Sequence, residues 1–291
     1  MVSSVVVVLA LSAAGAAAPH LDWRTLHGER CDVHFPAELE TVARRVVTLA
    51  DEAIEVASAV FESAPLDRVQ VVLHDVSDSA NGFTTVVPYD QVELRAVPPD
   101  SDNDLGVTDE YLRMLVLHEI AHILHLDTIH GIPALVNLAV GKVWPPNIVQ
   151  PRFVVEGLAT WIETRHTDAG RLRSTQFVAT LRIAALHGDL WQLDDLSNYS
   201  RRGPGGGAAY VYGAAFVDWL ARRHGDKVWA LVAHDYGGAV IPYSVQRSIE
   251  AATGVDLGID YQSFLDDVRA DATAFATAKR ARGGPTETRR L

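Results

Sequence analysis

His118-Glu119-Ile120-Ala121-His122 lies inside the apolar run LVLHEIAHILHL, which has helical periodicity. On a helix, two histidines four residues apart lie one above the other on the same face. Each can offer one imidazole nitrogen to a single zinc ion, Zn(2+). The carboxylate of Glu119, between them, can hold an attacking water and accept its proton. The spacing therefore predicts a metal-ligating helix that also carries a general base.

A catalytic zinc takes three protein ligands and keeps a fourth position open. His125, Asp127, His130, Glu156 and Glu163 are the nearby candidates for the third. His125 rides on the same helix as the pair, and three ligands on one straight helix do not easily converge, so it reads as a supporting or core-facing residue. A ligand six residues past the second histidine would need His or Asp where Thr128 stands. Glu156 is the better choice. It sits in VVEGLATWIE among Val154, Val155, Leu158 and Trp161, where a carboxylate is costly unless it meets a cation. Gly157 permits close helix approach. The alternative is that Glu156 lies on the wet face of an ordinary helix. Glu163, two turns on, reads as a supporting or ion-pairing carboxylate.

These segments must be positioned by a scaffold. AELETVARRVVTLADEAIEVASAVFE repeats apolar residues at helical spacing. Arg68–Asp75 reads as a strand, Asn81-Gly82 as a turn, and GFTTVVP and QVELRAVPP as two further strands before the metal helix. Residues 99–109 read as a loop. Residues 128–152 are a long connection with a short apolar helical piece and a Pro-rich turn. Helices are predicted from Phe153, over 171–188, from Ala209, near 226–234 and 243–252, and over DYQSFLDDVRADATAF. The fold class is α+β: a small mixed β-sheet with an active-site helix, then a mostly helical C-terminal lobe. The expected division is 19–127 for the first lobe and 128–279 for the second, with 280–291 a disordered tail.

Net charge is −12 and 48% of residues are hydrophobic. The charge argues against nucleic acid and anionic membranes as general partners. Cys31 is the only cysteine, which excludes internal disulfides and Cys-rich zinc sites. Residues 1–18 resemble a secretory signal peptide, an apolar run closing in small residues but lacking Lys or Arg at its start. They predict a secreted, periplasmic or cell-envelope protein. No later stretch qualifies as a stable membrane span.

HEIAH followed by FVVEGLATWIE resembles the gluzincin metallopeptidases, which have a zincin-like fold. Within them it is most similar to bacterial exported peptidase MA-like domains, through Phe153, Glu156, Gly157 and Ala159. The likeness runs from about Trp23 to Phe264. It implies His118, His122 and Glu156 as zinc ligands, Glu119 as base, and a peptide or protein substrate. In the aminopeptidase-like branch a Tyr-x-x-Gly opens a helix and aims its hydroxyl at the substrate. Tyr210-Val211-Tyr212-Gly213 fits, implying Tyr210 as oxyanion donor, with Tyr212 the alternative. Two departures stand out. The Gly-x-Met-Glu-Asn segment that holds a free amine is absent. Thr160 also replaces the Asp that, in thermolysin, follows the ligand Glu by four residues; Thr160 or Asp127 would then orient a histidine. An exposed strand edge, within Phe83–Pro88 or Val92–Val97, could pair with an extended peptide. The competing readings are a catalytically weak or inactive gluzincin-like protein-binding module of the cell envelope, a zinc hydrolase of a non-peptide substrate, and a purely structural domain.

Overall fold

The computed structural model describes residues 21–76, 78–99, 110–168, 170–196, 202–241 and 245–283. The segment expected to be a signal peptide, most of the 99–109 loop and residues 284–291 of the expected tail lie outside them.

Five strands form one mixed sheet: β1 (Trp23–His27), β2 (Cys31–Pro36), β3 (Val69–His74), β4 (Gly82–Thr85) and β5 (Gln91–Arg95), in the order β1-β2-β3-β5-β4. β2, β3 and β5 run parallel, and each outer strand is antiparallel to its neighbour. Alternate residues supply the buried face, among them Val33, Phe35, Val71, Leu73, Val92 and Leu94. Sequence periodicity did not single out β1 and β2. β5 is interior, so of the two segments considered for a free edge only that of β4 is at the end of the sheet.

Helix α1 (Glu40–Phe61) buries Val46, Leu49, Ala53, Ile54 and Ala57 at helical spacing and packs on β2 and on α2 (Tyr111–Leu126). α2 is buried along nearly its whole length, from Met114 to Leu126. A helix apolar on all sides belongs inside, so any polar group it carries faces either a partner or a cleft. α2 is shared between the lobes, packing on α1 and on α4.

The second lobe is helical: α3 (Gly131–Val140), α4 (Arg152–His166), α5 (Thr175–Leu186), α6 (Leu193–Leu196), α7 (Ala208–His224), α8 (Val228–Gly237), α9 (Val245–Thr253) and α10 (Leu257–Ala281). The helix expected over 171–188 is divided. Residues Arg171–Arg173 form a separate 3-10 turn, and Ser174 caps α5 by accepting from the amide of Gln176. α10 runs through Ala281, so it takes in the first two residues of the expected tail. Its Tyr261 and Phe264 pack with Phe216 of α7 in an aromatic cluster.

Candidate metal centre

α2 and α4 cross so that three donors converge. Nε2 of His118 and Nε2 of His122 are 3.2 Å apart, and Oε2 of Glu156 lies 3.6 Å from the first and 3.5 Å from the second. Donors held tetrahedrally at zinc distances stand about 3.3–3.5 Å apart. Two imidazoles and a carboxylate, all mostly buried, thus bring three donor atoms together at zinc-like spacing, and the donor set suits that metal.

The electrostatics agree. Burial opposes ionisation of Glu156, but the two imidazoles outweigh it and hold its carboxyl well below the usual carboxylate range. Burial and Arg171 press the His118 imidazole down, yet the carboxylates of Glu156 and Glu163 lift it to about 9. The position between these groups favours positive charge.

His118 is oriented from behind. Its Nδ1 lies 2.9 Å from Oε2 of Glu163, which is fully buried. Nη2 of Arg171 also lies 2.7 Å from Nδ1; in the tautomer that donates Nδ1–H to Glu163, Nε2 is left as the free donor atom. Arg171 grips Glu163 with three bonds, its backbone amide and Nε to Oε1 at 3.1 and 2.8 Å and Nη2 to Oε2 at 2.7 Å. Burial alone would raise the carboxyl of Glu163, but Arg171 and His118 bring it down to about 2. Neither Thr160 nor Asp127 orients a histidine. The hydroxyl of Thr160 is buried with no protein partner, and Asp127 is engaged by Lys142 at 2.6 Å. A carboxylate seven residues past Glu156 therefore takes the place of one four residues past it.

The base candidate is held by the sheet. Thr84 Oγ1 of β4 donates to Oε2 of Glu119 at 2.7 Å and lies 3.0 Å from its carbonyl oxygen. Gly82 passes so close that a Cβ there would stand 2.6 Å from Oε1 of Glu119. A side chain at this position would displace the Glu119 carboxylate. Close approach at Gly157 is to α7 rather than to α2: a Cβ on Gly157 would meet the backbone of Gly213 at 2.7 Å.

Tyr210 and Tyr212 point to opposite sides of α7, as two residues apart on a helix must. Tyr210 lines the cleft, with its ring 6.3 Å from that of His118 and 4.8 Å from the Arg171 guanidinium. Burial and the nearby Glu156 push its phenol upward, so it stays protonated and able to donate. Tyr212 is fully buried and stacks on Trp191 at 5.9 Å. His125 also faces the core: it stacks on Phe61, contacts Gln150 at 3.1 Å, and burial lowers its imidazole to about 3. His130 stacks on His234. Neither histidine belongs to the converging cluster.

The resulting cleft of about 570 Å³ has Ser79–Thr84 as one wall, His118, Glu119 and His122 as its floor, and Glu156, Arg171 and Tyr210 opposite. Arg171 and Thr84 are the site residues that sequence reasoning missed. Thr84 lay in a recognised strand, but nothing in its spacing marked its hydroxyl.

No family model matches the chain, and no curated protein does. Solved structures do. An aminopeptidase N family protein from Idiomarina loihiensis superposes with a TM-score of 0.54 at 14% identity, over 86% of this chain and 46% of that one. The fold is gluzincin-like and is shared with that protein. An M1 zinc metallopeptidase from Deinococcus radiodurans matches at a TM-score of 0.45 and 17% identity, over 84% of this chain and 51% of that one. Legionella pneumophila aminopeptidase A, solved with aspartic acid, gives 0.48 and 18%, over 84% and 28%. The chain thus spans about half the length, or less, of these gluzincin-like structures. Its His-x-x-x-His and Glu arrangement is the gluzincin type.

Proposed function

We propose that this protein is a zinc-dependent metallopeptidase that hydrolyses peptide bonds in an extended peptide or protein substrate. The observation that carries the reading is the convergence of His118, His122 and Glu156 in a cleft that also holds Glu119 and Tyr210. His118, His122 and Glu156 would hold the ion. Zinc bound there would polarise a carbonyl and make a water more acidic.

Glu119, fixed by Thr84, takes the proton of the attacking water and passes it to the leaving amine. Tyr210 donates to the oxyanion that develops on the carbonyl. The free edge of β4 beside Glu119 offers backbone groups for pairing with a substrate strand, which favours peptides over small esters. The N-terminal apolar run supports export, with the mature chain starting near Ala17 or Pro19; terminal sequencing of the expressed protein checks this.

The deciding experiment pairs metal analysis with digestion of a peptide library. Native protein should carry one zinc per chain and cleave peptides. His118→Ala and Glu156→Ala should lose the metal and the cleavage together. Full zinc occupancy in Glu156→Ala would remove Glu156 from the site. A zinc-loaded native protein that cleaves no peptide would leave a binding module in its place.

A further inference from the structure

The surface that follows α2 is poor in charge and rich in exposed aliphatic side chains. In the 24 residues from Thr128 to Pro151, Lys142 is the sole Lys, Arg, Asp or Glu. Its ammonium is turned inward, 2.7 Å from Asp90 and 2.6 Å from Asp127. The outward positions are aliphatic: Ile132, Leu135, Leu138, Val140, Val143 and Ile148 are all between 47% and 85% exposed. Within α3 only Pro133 is buried. A surface helix of a water-soluble domain ordinarily shows the reverse pattern.

The polar groups of this segment are largely turned on one another. Asn137 is the one polar side chain in α3. Its Oδ1 accepts from the amides of Val143 and Trp144, at 3.1 and 2.8 Å, and its Nδ2 donates to the Trp144 carbonyl at 3.0 Å. The Gly141 amide closes the helix on the Asn137 carbonyl at 3.0 Å. Asn147 is buried, donating to the carbonyls of Thr128 and Ala233. A turn that satisfies its own backbone is what a water-poor, apolar surrounding requires.

Charge selects the occupant. A second copy would bring another net charge of −12, and an anionic surface is repelled in the same way. An uncharged surface meets no such opposition from an uncharged patch. We propose that α3 and the turn after it form a membrane-seating element, lying in the interfacial layer of a zwitterionic bilayer with the aliphatic face in the acyl region. At ten residues α3 is about 15 Å long, half of a hydrocarbon core, so it lies in the surface and does not cross. Among the described residues no single helix is long and apolar enough to cross. Tyr89, half exposed beside the Asp90 that holds Lys142, would stand at headgroup level.

The test uses the full chain and vesicles of pure phosphatidylcholine. Native protein should float with the vesicles on a density gradient, and L135E/L138E should partition at least about tenfold less. Both leucines are exposed, so circular dichroism should show the variant folded. A second readout isolates α3 from any effect of the apolar N-terminal run. Cys31 is fully buried, and its thiol is pushed up to about 12, mainly by burial and then by Asp51. A Leu138→Cys protein therefore takes an environment-sensitive fluorophore at one place. Its emission should shift to the blue with vesicles, while the same label on Ile183→Cys, on α5, should not shift. An unshifted label at 138 overturns the proposal. So does a dimer, formed without vesicles and abolished by L135E/L138E, because a second copy would then cover the face.

Discussion

Helix α2 has a buried ion cluster at each of two levels. At His118, Glu163 and Arg171 close behind the imidazole; at the C-terminus, Asp90, Asp127 and Lys142 close around one another. Both bury a carboxylate against basic side chains. The first cluster saturates one ring nitrogen and leaves the other beside the donor atoms of His122 and Glu156. The second has no such outlet, and its charges join the turn before β5 to the end of α2. Burial and charge alone therefore do not mark a site. Donor atoms brought together from separate elements do.

The sharpest way to break this comparison is Glu119→Gln, since Glu119 lines the same cleft but is outside the converging donor group. The amide cannot accept a proton, so the variant should keep zinc and fold while peptide cleavage falls to background. Cleavage at the native rate would show that another group is the base. Tyr210→Phe should come next, lowering kcat by about ten- to a thousandfold with little change in KM. Tyr212→Phe, measured beside it, should alter turnover far less, because its ring is packed on Trp191.

The two clusters are then compared directly. Glu163→Gln should weaken zinc binding about 10- to 100-fold in a chelator competition, because the amide orients His118 less firmly. Asp127→Asn should leave zinc affinity unchanged. Equal effects from the two would mean that both clusters support the metal.

The smallest effect is on pH dependence. Burial raises the Asp127 carboxyl to about 7, with Asp90 adding to the shift and Lys142 opposing it. A group with a raised folded value is stabilising where it is protonated, and that contribution is lost as pH climbs through the folded value. Native stability should therefore fall between about pH 4 and 7 on this account. Asp127→Asn removes the penalty, so its Tm should gain on the native protein by a few degrees between pH 5 and pH 8. A constant difference across that range would assign the destabilisation elsewhere.

Much of the site was legible because its residues announce themselves by spacing. His118 and His122 fall on one helix face, and Glu156 is a carboxylate in an apolar helix. The choice between Tyr210 and Tyr212 needed the packing of α7. Arg171 was hidden because it lies in its own 3-10 turn between Gly170 and the cap at Ser174, outside any periodic pattern. β1 and β2 are short and carry polar residues such as His34, whose partners Thr25 and Gln70 lie on neighbouring strands that local sequence does not reveal. Lys142 likewise gives no local sign that it is drawn inward by two carboxylates distant in sequence.

Two residues without side chains act as the gauge of the cleft. Gly157 follows Glu156 on α4, and Gly213 stands one turn after Tyr210 on α7. A Cβ on Gly213 would reach 2.5 Å from the Phe153 carbonyl, so the helices touch main chain to main chain. One methyl group at either place would wedge α7 outward and carry the phenol of Tyr210 away from the carboxylate of Glu156. The reach of the hydroxyl over the donor cluster is thus set by helix separation, at positions that contact no substrate and carry no reactive group. Mutational surveys that weigh positions by chemical function would pass over both glycines, yet they fix the tolerance to which the reacting parts are assembled.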